Sequence, residues 1–377
     1  MPNNNQLALL ELLKASLFEI EPICPTDIDW DAVVVEAKAQ TVVSLAAKAV
    51  PAEHASQWQN YALQSHAQFV RVLHGQTRLV DMLEQVGVPM VILKGTAAAV
   101  CYPEPFRRMM GDVDFLVPQE RFEEAAQLLQ GSSYRQIGKR TPRHTGFLKD
   151  GVEYELHHHF SYTDVDIEDE IMSGLSHPEW GKVGGCRFPM LPSLANGLVL
   201  LTHLRNHLAS GVGLRQMIDW MMYVNRELDD EFWQREFRQV AESKGLATLA
   251  ITATRLCQRY LGLSERITWC AVADDTLCDQ LLELLFSSGN FGRKASNSIE
   301  GVSMLIRENG LFRYLQNSGE ANWTAYHRHH ALKPFCWIYQ GCRVIRKTIR
   351  SRRGIKVIGD ISQSKDRVSL LQDLGIM

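Results

Sequence analysis

VPMVILKGTAAAVCYPEPFRRMMGDVDFLV, residues 88–117, is the stretch that decides the fold. Its opening, 88–95, is a short apolar run with β-branched residues, ended by Gly95, and predicts a buried strand. Thr96-Ala97-Ala98-Ala99 begins a short helix. A loop with Pro103, Pro105 and two arginines then leads to a second strand, 112–117, stopped by Pro118. Residues 119–131 carry the spacing of an amphipathic helix with a glycine stop. Next, the runs 145–149 and 152–160 are joined by Asp150-Gly151. That dipeptide predicts a hairpin, because a type I′ turn needs positive φ at both central residues. Residues 88–160 therefore predict a compact mixed sheet, not a doubly wound parallel one.

Both flanks have a different period. Residues 6–88 carry apolar residues at three- and four-residue spacing in 7–18, 42–50 and 58–87, and read as helical. From about 192, four helices are predicted over 194–210, 213–228, 230–245 and 248–262. The fold class is thus α+β: a mixed-sheet core with N-terminal helices before it and a helical domain after it. The predicted divisions are 1–87, 88–190, 191–330, and a basic segment with a mobile tail over 331–377.

Composition sets the outer bounds. Of the 377 residues 45% are hydrophobic and 22% charged, with a net charge of −3, which excludes a disordered, collagen-like or disulfide-framework chain. The near-neutral balance gives no global reason to bind nucleic acid. No apolar run approaches the roughly 18–20 residues of a spanning helix. The N-terminus lacks a basic start and a cleavage site, so a cytoplasmic protein is expected. Eight cysteines without a CxxC pair read as reduced core thiols.

The chemistry lies in the acidic strands. Asp112 and Asp114 share one face of a predicted strand, with Val113, Phe115 and Val117 on the other. At an effective dielectric of 20 they repel by about 2–4 kcal/mol, a cost that a divalent cation between them reverses. In 152–160, Glu153, Glu155 and His157 form one face; a strand lying beside 112–117 would let Glu155 complete a three-carboxylate pocket. Such oxygen ligands suit magnesium or manganese. Upstream, Gly95 and Thr96 stand where a strand turns into a helix, a junction whose backbone N–H groups favour phosphate. Lys94 and Arg108 add positive charge.

Taken together these residues resemble the polymerase-β-type nucleotidyltransferase superfamily, and most closely its bacterial branch of uncharacterised nucleotidyltransferases. The resemblance rests on Leu93-Lys94-Gly95, Tyr102-Pro103, Arg108 four residues before Asp112-Val113-Asp114, and Glu155-Leu156-His157. It is looser at His203 and at Arg215 with Asp219. It implies a magnesium-dependent transfer of nucleoside monophosphate from a nucleoside triphosphate to a hydroxyl acceptor, releasing pyrophosphate. Asp112, Asp114 and Glu155 would be the catalytic and metal-holding residues; Lys94, Gly95, Thr96 and Arg108 would be the nucleotide-binding ones. The alternatives are a non-catalytic nucleotide-binding protein with a degenerate core, and a glycosyltransferase with an Asp-x-Asp motif. The all-helical stretch before residue 88 disfavours the last.

Other features have plainer readings. His157, His158 and His159 alternate faces along a strand and cannot converge on one ion. His203 and His207 have the spacing of a zinc pair, but no third ligand accompanies them. Arg215 and Asp219 read as an i,i+4 helix pair. Residues 331–358 hold eight cations and no acid, with Phe335, Trp337 and Tyr339 at the start. Contact with an anionic surface, either nucleic acid or lipid headgroups at the periphery of a membrane, is one reading; a helix docked by its apolar side is the other.

Overall fold

The computed structural model describes residues 2–138, 141, 144–160, 165–289, 316, 323, 330–350 and 369–376. It opens with helices α1 (Asn4–Phe18), α2 (Trp30–Ala39), the short α3 (Val43–Ala46) and the long α4 (Ala55–Gln85). The chain then enters the sheet with β1 (Val91–Leu93), α5 (Gly95–Ala99), β2 (Asp112–Leu116), α6 (Phe122–Gly131) and β3 (Arg135–Ile137). Strands β4 (His144–Lys149) and β5 (Val152–His157) follow, then α7 (Glu168–Ser176) and the hairpin β6 (Glu179–Val183) and β7 (Cys186–Met190). The strand order is β3-β4-β5-β2-β1-β7-β6. Strand β2 runs antiparallel to β1 and parallel to β5, so the sheet is mixed, as its sequence predicts. The β6–β7 hairpin escapes the sequence reading, and β7 pairs parallel with β1.

The predicted turn is present: Asp150 and Gly151 both have positive φ, 52° and 74°. Its two-residue length pairs Lys149 with Val152, and the register runs from there to His144 opposite His157. Alternation then gives the sheet two different faces. Ile92, Val113, Phe115, Phe147, Tyr154 and Leu156 pack in one apolar core with Phe69, Leu79 and Leu83 of α4 and Leu129 of α6. Helix α4 is therefore a layer of the sheet core. Val91, Leu93 and Leu116 on the opposite face join a second core with the helices that follow.

Those helices are α8 (Ser193–Ser210), α9 (Leu214–Glu227), α10 (Asp230–Phe232), α11 (Arg238–Ser243), α12 (Ala247–Leu261) and α13 (Asp275–Ser288). A π turn over Trp233–Phe237 joins α10 to α11. Trp220, Tyr223 and Phe237 are fully buried here, and α1 packs into the same core through Leu9, Leu12 and Leu13. A last helix, α14 (Cys336–Arg350), occupies most of the described basic segment. Arg352, Arg353 and Lys356 lie outside the described residues. The mobile-tail expectation is corrected over 369–376: Leu370, Leu371, Leu374 and Ile376 are buried in the helical core. The Ile376 carbonyl also accepts from Arg205 at 2.7 Å. Four apolar residues within seven positions are enough to anchor a chain end that reads as polar overall.

Candidate active site

Parallel pairing of β2 with β5 places Asp114 directly opposite Glu155, and Leu116 opposite His157. The second acidic strand thus lies beside the first, with Asp114 and Glu155 paired across it. Ligand atoms of Asp114, Glu155 and His157 all fall within 4.8 Å of one another. Asp112 occupies the same face at the mouth of this group but is not one of the three. His157, which the sequence reading did not count among the metal-holding residues, stands with them: its Nε2 lies 3.1 Å from Asp114 Oδ1 and 3.3 Å from Glu155 Oε2.

Lys94 is the dominant counter-charge. Its Nζ sits 2.8 Å from Asp114 Oδ1, and both side chains are withdrawn from solvent. Lys94 adopts φ 48° and ψ −135° at the junction of β1 and α5, a backbone region that costs a non-glycine residue of order 1–3 kcal/mol. Gly95 follows at φ 36°, where a methyl group would stand 3.3 Å from Met110 Cε and 3.9 Å from the Asp112 carbonyl oxygen. The turn is thus pressed against the start of β2. Thr96 is fully buried, and its hydroxyl donates to Gln76 Oε1 at 2.6 Å, so α4 holds this turn from behind.

Electrostatics split the two aspartates. Repulsion from Asp114, then burial, pushes Asp112 up to about 6 against the pull of Lys94. Burial opposes ionisation of Asp114 too, but Lys94 and His157 outweigh it and hold its carboxyl far below the usual range. His157 moves the other way from most buried histidines: burial disfavours its charge, yet hydrogen bonds to Asp114 and Glu155 raise its pKa. The outcome is an ionised Asp114, a nearly neutral-pH Asp112 and a readily protonated His157 on one sheet face.

Arg108 does not face solvent in the loop. Its Nε and Nη2 each donate to one oxygen of Asp219 at 2.7 Å, and Tyr102 Oη donates to Asp219 Oδ1 at 2.6 Å. Asp219 therefore serves Tyr102 and Arg108 across the domain, where an i,i+4 pair with Arg215 was expected. Arg215 is nearby, held below its ordinary pKa by burial and by Arg108. His203 and His207 pack edge to face, centroids 4.4 Å apart. Burial and then the Lys94 ammonium hold His203 well below its ordinary value and His207 at about 4. They form a neutral wall beside the cluster, and among the described residues they belong to no group of metal-ligating side chains. His158 instead meets Phe122 edge-on, and His159 approaches Glu168, so the three consecutive histidines diverge as alternation requires.

Sequence reasoning missed His144, whose ring stacks obliquely on His157 at 5.1 Å, and Gln76. A signal for His144 exists: stepping five residues back along each strand from the Lys149–Val152 pair reaches it. Gln76 has no such signal, because only tertiary packing brings α4 to the turn.

The family model for uncharacterised nucleotidyltransferases matches residues 26–262, and the chain belongs to that family. No curated protein matches it. Solved structures similar to it include ANT(2″)-Ia in complex with adenylyl-2″-tobramycin, at 10% identity over 45% of this chain and 97% of that one, TM-score 0.37. Another is an antigenic nucleotidyltransferase-like protein from Paracoccidioides brasiliensis, at 13% identity over 54% and 98%, TM-score 0.34.

Proposed function

We propose that this nucleotidyltransferase moves a nucleoside monophosphate from a nucleoside triphosphate to an acceptor hydroxyl, releasing pyrophosphate, at the cluster of Asp112, Asp114 and Glu155. The observation that carries this reading is the Asp114–Glu155 register across parallel β2 and β5, beside the Lys94–Gly95 turn. The donor set fits a divalent cation: close carboxylates plus one imidazole suit magnesium or manganese, with Asp112, Asp114 and Glu155 holding it and His157 in reach. Such an ion, when bound, supplies charge neutralisation between the triphosphate and the carboxylates.

The chain's own residues do the rest. Lys94 and Gly95 form the phosphate-facing turn, and Thr96, buried with its hydroxyl on Gln76 and not turned to the phosphates as the sequence reading had it, keeps that turn fixed. Glu155, the more exposed of the paired carboxylates, accepts the proton that the acceptor hydroxyl must lose as it attacks the α-phosphorus. His157 holds Glu155 and Asp114 at their spacing. Arg108 acts through Asp219, tying the loop before β2 to α9 so that the acceptor side and the phosphate side keep one geometry. Among the described residues no helix is long and apolar enough to cross a membrane. The exposed Phe335, Trp337 and Ile338 beside Lys333 and Arg343 support contact of α14 with an anionic surface.

Calorimetric titration of the four nucleoside triphosphates, with and without magnesium, tests the main reading on the wild type and on Asp112→Asn/Asp114→Asn. Metal-dependent binding by the wild type, lost in the variant, is the expected result. Equal binding by a folded variant would refute this site.

A further inference from the structure

Asp114 Oδ1 is crowded. Lys94 Nζ lies 2.8 Å from it and His157 Nε2 3.1 Å from it, and a carboxylate oxygen offers about two lone pairs. Both are in use, on the one carboxylate that is fully inside the cluster. A cation that takes this oxygen displaces one of the two, and one that takes Oδ2 of the same carboxylate still meets the repulsion of the Lys94 ammonium. His157 belongs to the β5 ladder, paired to Leu116 and His144, and a second contact to Glu155 restrains it. Lys94 has no such restraint: it is a compact charge on a flexible four-carbon stem, springing from the strained turn between β1 and α5.

We propose that Lys94 is a built-in stand-in for the divalent cation, which competes with it for Asp114 and drives its ammonium onto the triphosphate. The inference rests on Asp112, Asp114 and Glu155 being the metal-holding residues. Metal binding and phosphate capture are then one exchange. A cation entering at Asp114 repels the ammonium, whose three N–H donors then turn to phosphate oxygens. With no nucleotide present the same lysine weakens cation binding. The protein therefore takes up the metal tightly only together with the triphosphate, and its carboxylates do not retain stray divalent ions.

The test separates two affinities that a merely structural lysine would move together. Binding of Mn2+ to the full-length protein is measured from the free-ion paramagnetic resonance signal, followed by calorimetric titration of ATP at saturating Mn2+. Lys94→Met should bind Mn2+ at least tenfold more tightly than wild type, yet bind ATP at least tenfold more weakly. Lys94→Arg should restore weak Mn2+ binding. Lys94→Gln carries the same expectation as Lys94→Met, should the methionine variant not fold. Unchanged or weaker Mn2+ binding in the folded neutral variants overturns the competition, and unchanged ATP binding overturns the transfer to phosphate. A different failure, unaltered Mn2+ binding in Asp114→Asn, would strike the metal site itself.

Discussion

Arg108 and Asp219 stand 111 residues apart in the chain and meet through two hydrogen bonds of 2.7 Å each, both side chains buried. Arg108 comes from the loop that enters β2, and Asp219 from the middle of α9. The pair is a polar link between the sheet that carries the carboxylates and the helical region behind it.

Removing one partner leaves the other charge buried and unpaired, which costs about 3–5 kcal/mol. Arg108→Ala and Asp219→Ala should each lose that much in urea unfolding. The double variant should lose clearly less than the sum, with a coupling of about 1–3 kcal/mol. Additive losses would show that the two side chains do not act as a unit.

Asp112 predicts a stability gain from losing a charge. Its pKa rises from the ordinary carboxylate range to about 6, so the folded state resists its ionisation. Stability is therefore lost as pH rises from about 4 through about 6, and the loss is complete above that. Asp112→Asn should be more stable than wild type by roughly 1–3 kcal/mol at pH 7, with the gap closing below pH 4. Thermal melts across this range would read it. A variant less stable than wild type at pH 7 would contradict the repulsion.

The same carboxyl sets the pH dependence of metal uptake. A protonated Asp112 contributes no charge to the cluster, so Mn2+ affinity should fall as pH drops through about 6 and level off above it. Asp112→Asn should flatten this step. A wild-type profile without an inflection between pH 5 and 7 would count against Asp112 as part of the cation site.

The chain end should be a structural element. Leu371 is fully buried in the helical core, and Leu371→Ala should cost about 2–4 kcal/mol through the cavity it opens. Limited proteolysis should likewise spare the bonds around Leu371 in the wild type. Rapid cleavage there would mean that this end is not docked.

The carboxylate face could be read from residues because strand alternation is local. Asp112 with Asp114, and Glu153 with Glu155, fall on common faces wherever the strands lie. The Asp150-Gly151 turn set the hairpin register in the same local way. Which residue would be third in the cluster was not local: it depended on β5 aligning Asp114 with Glu155 and bringing His157 alongside, which put Asp112 at the margin. Arg108 was visible as a cation near phosphate chemistry, but its partner in α9 was not, since ion pairs over 111 residues leave no periodic trace. The β6–β7 hairpin escaped for a related reason: at Glu179–Val183 and Cys186–Met190 the alternation is weak, with Pro189 inside a strand and Trp180 half exposed.

By itself, then, the sequence determined the α+β class, the helix and strand periods, the acidic faces and the glycine turn, because each depends on neighbours within a few residues. The tertiary structure alone decided that Lys94 and His157 share one oxygen of Asp114, that Asp219 belongs to Arg108, and that the C-terminal leucines close the helical core. Those outcomes are pairings between distant segments, chosen by burial: once water is excluded, a charge or an apolar face must find whichever partner the packing delivers.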